Sequence, residues 1–371
     1  MSDIFCPIIH GALVIDIKPI HNSTFIGHCC LRDTFKIDFP SEPVWQNKKL
    51  FPLRNKNINN EWDSGCWTCQ GNELAGMESF RTGSLKGFGK RKDLSGPTRL
   101  DLVFDTNCNL ACRSCGPQSS TFWLKHLIDN QLVDSKTPIP PSRADYMIDI
   151  LKTLDLTHLE SVLFCGGETL LGNTYWKVAK VIADLVPNAK DQLVISFQSN
   201  ATQMISEKHF DLIERFKLVK VHFSIDGIRE KFEYLRWPAS WNQVVDNVHE
   251  IRATAPSNVM FSIEETLGCL NLFYHHELKT WAKKHFSANR FGDRIDHTTH
   301  HMKEVFALDN LTKEYVDALP GHLRSLVNPN WKENPEGIRN MIKEINKFDA
   351  IRNEDWSVTF PEVYEFYRRY H

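Results

Sequence analysis

Three cysteines lie close together in the sequence, Cys108, Cys112 and Cys115, with the spacing C-x3-C-x2-C. They come directly after residues 100–104, whose alternating apolar side chains predict a short strand, so we expect the cysteines on a loop at its carboxyl end. Three thiolates at this spacing can hold three irons of a 4Fe–4S cube and leave the fourth iron open to a ligand that is not protein. Zinc is the alternative, but zinc prefers four closed ligands, usually from C-x2-C pairs. The spacing therefore favours a redox-active cluster with an open iron.

A second set of cysteines lies within the first 80 residues. Cys66 and Cys69 form a C-x2-C pair, and Cys6 with either Cys29 or Cys30 brings the number of thiolates to four. Four thiolates fit a closed site, which would be either a second iron–sulfur cluster or a structural zinc. A cluster with four cysteine ligands would have no open iron, which argues against direct binding of substrate to its iron.

Two further cysteines belong to neither set. Cys165 ends a predicted strand and is interpreted as a small core residue. Cys269 follows another predicted strand, and we expect its side chain at the mouth of the domain that these strands form. We interpret it as a packed core cysteine, and a catalytic thiol at the mouth is the alternative.

The segments that would position the three clustered cysteines alternate between strands and helices. Predicted strands lie at 100–104, 161–165, 192–198, 218–225 and 258–263, with helix-length segments between them, and a last strand is expected within 287–308. Strands that alternate with helices in this way predict an α/β domain with a parallel sheet.

Polar residues and glycines follow these predicted strands. They are Gly166, Gly167 and Glu168 after the second strand, Asn200 after the third, and Ser224 and Asp226 at or after the end of the fourth. Because carboxyl ends of parallel strands meet at one edge, we expect these groups to gather beside the cysteine loop. Glycines let a backbone approach a ligand closely, and a carboxylate can pair with an ammonium. A hydroxyl and a carboxylate at 224 and 226 would suit a ribose diol.

The 371 residues divide into four predicted parts. Residues 1–80 form a cysteine-rich unit, 81–97 a glycine-rich basic linker, 98–290 the α/β core, and 291–371 a helical extension that completes it.

Composition excludes several classes of function. The formal net charge of −2 provides no general attraction for nucleic acid or an anionic membrane. No apolar run approaches the roughly 18 residues of a membrane span, and the N-terminus lacks the basic start of a signal peptide. We therefore expect a cytoplasmic protein, in which ten cysteines indicate metal sites rather than disulfides.

In spacing and order, the cysteine loop and the motifs after it resemble those of the radical SAM (S-adenosylmethionine) enzymes. The resemblance implies a partial (β/α)6 barrel and a 4Fe–4S cluster on Cys108, Cys112 and Cys115, with SAM bound to the open iron. An electron from the cluster would cleave SAM to a 5′-deoxyadenosyl radical, which takes a hydrogen atom from the substrate. Ser114 departs from the family pattern, which often has an aromatic residue there.

The same resemblance implies roles for the residues that follow the strands. The motif Gly166-Gly167-Glu168 would bind the SAM amine through Glu168, and Arg236 would bind the SAM carboxylate. Asn200, Ser224 and Asp226 complete the set of residues expected to bind SAM.

Residues 1–80 resemble the half-size auxiliary-cluster module called twitch, a relative of the larger SPASM module. The resemblance lies in Phe5-Cys6-Pro7, the Cys29-Cys30 doublet, Cys66-x-x-Cys69 and Glu73. It implies a second 4Fe–4S cluster on Cys6, Cys29, Cys66 and Cys69, with Cys30 as the alternate to Cys29.

Enzymes with such modules mostly modify ribosomally made peptides. The resemblance therefore implies a peptide or protein substrate, changed by epimerisation, crosslinking or excision of part of a residue. Its partners would be an accessory leader-binding protein and a reductase as electron donor, and neither nucleic acid nor membrane is expected. Two alternatives stay open: a radical SAM enzyme for a small molecule or nucleotide, and a non-catalytic zinc-binding protein.

Overall fold

The computed structural model describes residues 4–18, 23–29, 34–74, 78–91, 94–286, 300–301, 304–324, 326–328 and 331–371. Ten strands lie in these residues: β1 (Ala12–Lys18), β2 (Ser23–Gly27), β3 (Phe35–Ile37), β4 (Arg99–Val103), β5 (Ser161–Cys165), β6 (Val194–Ser199), β7 (Leu218–Ser224), β8 (Val259–Glu264), β9 (Thr266–Leu267) and β10 (His300–His301).

The same residues contain seventeen α-helices: α1 (Pro7–Gly11), α2 (Phe51–Ile58), α3 (Trp67–Leu74), α4 (Phe80–Phe88), α5 (Thr121–Asp129), α6 (Ala144–Leu151), α7 (Thr174–Leu185), α8 (Ala189–Gln192), α9 (Phe210–Ile213), α10 (Arg229–Leu235), α11 (Trp241–Thr254), α12 (His275–Phe286), α13 (Lys313–Ala318), α14 (Gly321–Arg324), α15 (Pro335–Arg352), α16 (Trp356–Thr359) and α17 (Pro361–Tyr367). Among the described helices, none is both long enough and apolar enough to cross a membrane.

Eight strands form one sheet in the order β3-β2-β1-β4-β5-β6-β7-β8. The strands β1, β4, β5, β6, β7 and β8 pair in parallel with their neighbours in this order. At the β1 edge, β2 pairs antiparallel with β1, and β3 pairs antiparallel with β2. A largely parallel sheet with helices between its strands confirms the predicted α/β fold, and the C-terminal region is helical as expected.

The first strand of the cysteine-rich unit belongs to this same sheet. β1 pairs in parallel with β4, with Ala12 opposite Arg99 and Asp16 opposite Val103. Alternate side chains of β1, such as Leu13 and Ile15, are fully buried in the core beneath the sheet, so pairing with β4 completes their burial. The unit predicted for 1–80 thus shares its hydrogen-bonded framework with the core domain.

Two sequence predictions about these elements need correction. The strand expected within 287–308 is the two-residue β10, which pairs with β9 in a separate small sheet; residues 287–299 and 302–303 lie outside the described residues. The predicted linker over 81–97 is wrong in its first half, where α4 continues to Phe88. This helix begins with a capping box in which Ser79 and Thr82 exchange side-chain-to-backbone hydrogen bonds. Two glycines inside α4 obscured its helical pattern.

The two faces of the main sheet differ in character. Along β7, Val219, Val221 and Phe223 are fully buried in one core with apolar side chains of α7 and α11. The intervening His222 and Ser224 are half-buried and point to the opposite side. We call that opposite side of β4–β8 the polar face.

Candidate active site

The cysteines of the C-x3-C-x2-C motif lie on the loop between β4 and α5, at the carboxyl end of β4. Ser120 closes this loop, because its Oγ donates to the carbonyl of Leu110 at 2.6 Å and accepts from the N–H of Trp123 at 3.1 Å. The second bond caps the N-terminus of α5. Helix α5 therefore holds one end of the loop in a fixed position.

Backbone hydrogen bonds attach the cysteine loop to the segment that follows α10. The N–H of Ala111 donates to the carbonyl of Trp237, and the N–H of Arg113 donates to the carbonyl of Leu235, both at 2.7 Å. The bonded segment carries Arg236, which therefore lies beside the cysteines.

The three thiols share one electrostatic environment. Burial of the sulfur raises the pKa of all three thiols, that of Cys108 to about 11, and neighbouring thiols raise the pKa of Cys108 and Cys112 further. The guanidinium of Arg236 acts to lower the pKa of Cys112 and Cys115. Within the described residues, no three His, Cys, Asp or Glu side chains are grouped to hold a single metal ion. A 4Fe–4S cube binds each thiolate through a separate iron and does not require such a group.

Gly166 and Gly167 allow the turn after β5 to contact the protein's own backbone. Gly166 has a φ of +134°, and a Cβ there would lie 2.5 Å from the carbonyl oxygen of Asp105. A Cβ on Gly167 would lie 2.1 Å from the carbonyl oxygen of Asn107. These glycines pack the turn onto the chain that leads into the cysteine loop. Their close approach to a ligand stays a prediction.

Glu168 is fully buried at the end of this turn. Its carboxylate accepts hydrogen bonds from the hydroxyl of Ser199 at 2.8 Å and from the N–H groups of Asn200 at 2.6 Å and Leu170 at 2.9 Å. Burial raises the pKa of Glu168, while these hydrogen bonds and the charge of Arg236 act to lower it. The side chain thus connects the ends of β5 and β6 next to the cysteines.

Asn200 connects the end of β6 to the cysteine loop. Its Nδ2 donates to Asn109 Oδ1 at 3.0 Å and lies 3.9 Å from the sulfur of Cys108. Its Oδ1 accepts from the N–H and hydroxyl of Thr202, at 2.9 and 2.6 Å. Asn200 therefore contacts a candidate cluster ligand, a role that the sequence prediction of SAM binding did not include.

Asp226 and Arg236 form a buried ion pair, with Arg236 Nη2 2.8 Å from Asp226 Oδ2. Asp226 Oδ1 accepts from the N–H of Thr266 at 2.8 Å. Burial is the largest single effect and lowers the pKa of Arg236, but the Asp226 carboxylate and the thiols of Cys112 and Cys115 together outweigh it and raise that pKa. Ser224 lies at the end of β7 on the polar face, in register with Glu264. Of the residues predicted to bind SAM, Gly166, Gly167, Glu168, Asn200 and Arg236 thus lie beside the cysteine loop, and Asp226 is paired with Arg236.

A polar cluster on the polar face was missed by the sequence analysis. His222 Nδ1 lies 2.6 Å from Ser262 Oγ and 3.3 Å from Glu264 Oε1, and Gln198 Nε2 donates to Glu264 Oε2 at 2.8 Å. The signal was available in the polar residues at alternate positions of β6, β7 and β8. The cluster adjoins Ser224 and offers both donors and acceptors to a bound molecule.

Residues of α15 and the turn after it fix the back of the cysteine loop. Arg113 is buried, and its Nη2 donates to Asp349 Oδ1 and to Glu354 Oε2, both at 2.6 Å. Arg352 Nη2 donates to the carbonyl of Ala111 at 3.0 Å. Arg113 and Asp349 are 236 positions apart, and a contact over that separation has no local sequence signature. The sequence alone therefore did not predict a role for Arg113, Asp349, Arg352 or Glu354.

The four candidate ligands of the N-terminal set line one pocket. Cys6, Cys29, Cys66 and Cys69 surround an empty volume of about 550 Å³ that includes open solvent. Burial raises the pKa of Cys6 to about 11, backbone N–H groups of α1 act to lower it, and the thiols of Cys69 and Cys66 raise it. Cys30 lies outside the described residues. The N-terminal pocket, defined by these four cysteines, can therefore present four sulfur ligands to one cluster.

Arg81 lies in the wall of the N-terminal pocket. Its Nε donates to Glu73 Oε1 at 2.9 Å, its Nη2 pairs with the other oxygen of Glu73, and its Nη1 donates to the carbonyl of Phe5 at 2.9 Å. The Glu73 carboxylate raises the pKa of Arg81 against the effect of burial, and the thiols of Cys6 and Cys69 also raise it. A positive charge is thus fixed beside two of the candidate ligands.

The remaining two cysteines lie in different surroundings. Cys165 is half-buried at the end of β5. Cys269 is fully buried in the core of the C-terminal helices, with its sulfur 3.0 Å from Met341 Sδ. This placement confirms the interpretation of Cys269 as a packed core cysteine. It contradicts the expectation that Cys269 faces the mouth of the domain, because apolar residues of the C-terminal region cover it.

Sequence comparison identifies a family for the central part of the chain. The Radical SAM superfamily model matches residues 102–266, which include the cysteine loop and every residue predicted to bind SAM. The chain therefore carries a radical SAM superfamily domain. No curated protein matches the sequence.

Several solved structures are similar to this chain at low sequence identity. Native anSMEcpe with bound AdoMet is 18% identical, with 69% of this chain and 62% of that chain covered and a TM-score of 0.38. Streptococcus suis SuiB bound to its precursor peptide SuiA is 12% identical, with 95% and 74% covered and a TM-score of 0.39. Escherichia coli coproporphyrinogen III oxidase (HemN) is 11% identical, with 68% and 51% covered and a TM-score of 0.30. The alignment spans 62% of the length of anSMEcpe.

Proposed function

We propose that this chain is a radical SAM enzyme whose catalytic cluster is held by Cys108, Cys112 and Cys115. When bound, a 4Fe–4S cluster and SAM would supply the electron and the 5′-deoxyadenosyl radical that removes a hydrogen atom from the substrate. The observation that carries the proposal is the grouping of three thiols beside the Arg236 guanidinium, inside the segment that matches the superfamily.

The polar groups around these thiols suit the ammonium, carboxylate and ribose groups of SAM. An ionised carboxylate has about four acceptor sites, and Glu168 uses three of them for protein donors, so one remains for the SAM ammonium. Arg236 Nε is buried and has no hydrogen-bond partner in the described part of the chain, which makes it a donor for the SAM carboxylate. Ser224 and Asp226 would bind the ribose.

We also infer that Cys6, Cys29, Cys66 and Cys69 hold a second, closed 4Fe–4S cluster. Four sulfurs around one pocket match the ligand count of a fully cysteine-ligated cube. Backbone N–H groups directed at Cys6 would stabilise its thiolate. This cluster would relay electrons or stabilise the N-terminal part of the chain.

The proposed substrate is a ribosomally made peptide or protein. The proposal rests on the resemblance of residues 1–80 to twitch modules, and the polar cluster of His222, Ser262, Glu264 and Gln198 offers a surface that could contact peptide groups. A reductase would supply the electron, and an accessory protein would bind a leader peptide. Cytoplasmic location stays a prediction.

The test is production of 5′-deoxyadenosine from SAM by anaerobically reconstituted protein with dithionite as reductant. We expect wild type to form it, Cys112→Ala to form none, and the control Cys165→Ala to retain the activity. Iron-loaded wild type that forms no 5′-deoxyadenosine, or equal formation by Cys112→Ala, would overturn the proposal. A colourless protein with stoichiometric zinc would favour the non-catalytic alternative.

A further inference from the structure

We propose that Arg81 sets the reduction potential of the cluster in the N-terminal pocket, and that Glu73 opposes it. The inference rests on the proposed auxiliary cluster. Arg81 would be a positioning charge that acts on the cluster through space, because its nitrogens bond to Glu73 and to the carbonyl of Phe5.

The charge of Arg81 is held in the pocket wall. Its side chain is only 8% exposed, and three separate hydrogen bonds fix the guanidinium. Of the described residues that line the pocket, Arg81 alone carries a positive charge. A fixed charge in a weakly screened site acts more strongly on its neighbours than the same charge in water.

The acidic side chains near the pocket are either exposed or paired with a cation. Glu61 and Asp63 also line it, but Glu61 is exposed and Asp63 pairs with Lys56 at 2.9 Å. Glu73 is not among the lining residues, and as the ion-pair partner of Arg81 it partly neutralises the guanidinium. Arg81 lines the pocket and interacts electrostatically with Cys6 and Cys69, whereas Glu73 does not line it.

The direction of each effect follows from the charge that reduction adds. A cube with four thiolates is negative overall and gains one more negative charge when it takes one electron from dithionite. A nearby positive charge stabilises the reduced form and raises the potential, whereas a negative charge lowers it. Removing Arg81 and removing Glu73 should therefore shift the potential in opposite directions.

The experiment is an anaerobic redox titration of the full chain, followed by electron paramagnetic resonance. The substitutions Cys108→Ala, Cys112→Ala and Cys115→Ala are included so that the signal comes from the N-terminal cluster. We expect Arg81→Gln to lower the equilibrium constant for reduction by about tenfold, which is about 59 mV for a one-electron couple. We expect Arg81→Lys to keep most of the wild-type potential and Glu73→Gln to raise it.

Two results would overturn the inference while leaving the auxiliary cluster intact: equal potentials in all variants, or shifts of Arg81→Gln and Glu73→Gln in the same direction. If Arg81→Gln fails to retain iron, the reduction potential of Glu73→Gln tests the inference instead, because this variant keeps the positive charge of Arg81. A reduction potential above that of wild type then supports the inference, and an equal or lower potential overturns it. Absence of iron from the triple-cysteine variant would overturn the auxiliary cluster itself, and the inference with it.

Discussion

Arg236 Nη2 lies 2.8 Å from Asp226 Oδ2, and both side chains are buried beside the cysteine loop. The pair joins the end of α10 to the end of β7. Asp226 uses its second oxygen to accept from the backbone of Thr266, so the carboxylate is itself held in place. Asp226 is therefore a positioning residue for Arg236, whose buried Nε has no hydrogen-bond partner in the described residues. This role is separate from the proposed contact of Asp226 with the ribose.

Asp226→Asn should strongly destabilise the protein. The substitution keeps the shape of the side chain but leaves the Arg236 guanidinium buried without its counter-charge, which costs about 3–5 kcal/mol in such pairs. The measurement is the free energy of unfolding in urea under anaerobic conditions. Asp211→Asn, on the exposed surface of α9, is the control and should change it little. Equal stabilities of the two variants would contradict the assignment of this pair.

Gly167→Ala should disrupt the turn that supports the cysteine loop. The new Cβ would lie 2.1 Å from the carbonyl oxygen of Asn107, which is too short for a contact between non-bonded atoms. The backbone of one of the two segments would have to move to relieve it. We expect loss of iron from the Cys108, Cys112 and Cys115 site together with a lower melting temperature. Gly87→Ala is a matched control in open space within α4, and it should stabilise the protein by about 0.5–1 kcal/mol. Retention of iron and stability by Gly167→Ala would show that the turn tolerates a side chain.

Asp349→Ala should loosen the cysteine loop from α15. Asp349 accepts from Arg113 at 2.6 Å, from the hydroxyl of Tyr234 at 2.6 Å and from the N–H of Trp356 at 2.9 Å. Loss of the carboxylate leaves these buried donors short of an acceptor, and we expect destabilisation by about 3–5 kcal/mol. Thermal unfolding and the iron-to-protein ratio are the measurements. Asn346→Ala on the exposed side of α15 should leave both unchanged, and the same result for Asp349→Ala would exclude this role.

Stability should decrease on acidification because of His126. Burial, the larger cause, and the charge of Arg352, whose Nε lies 3.4 Å from His126 Nε2, lower the pKa of His126 below its ordinary 6.5. Between the lowered pKa and 6.5 the unfolded chain binds more protons than the folded chain, so this contribution to stability is lost as pH falls. From about pH 7 to about pH 5, His126→Gln should lose less unfolding free energy than wild type. An equal loss would show that another group controls this range.

Local patterns were sufficient to predict the core elements of the domain. The strand expected at 161–165 is β5, Ser161–Cys165, and the strand expected at 218–225 is β7, Leu218–Ser224. Alternation of apolar residues, and the place of polar residues just after each strand, are properties of single segments. The gathering of the residues predicted to bind SAM around the cysteine loop follows, because parallel strands bring their carboxyl ends together.

Long-range contacts could not be predicted in the same way. The pairing of β1 with β4 and the bond from Arg113 to Asp349 join segments far apart in the sequence. Such contacts depend on shape and burial in the folded chain rather than on local periodicity. The same reason applies to Gly166 and Gly167, whose close neighbours are backbone atoms of another loop.

The central claim, two clusters on two sets of cysteines, is tested most directly by metal and sulfide analysis. The samples are anaerobically purified wild type and a variant with Cys108→Ala, Cys112→Ala and Cys115→Ala. We predict about eight irons per chain in wild type and about four in the variant, with sulfide in the same ratio. About four irons per chain in wild type and none in the variant, with zinc retained, would contradict the auxiliary cluster alone. No iron in either protein after reconstitution would contradict the whole assignment.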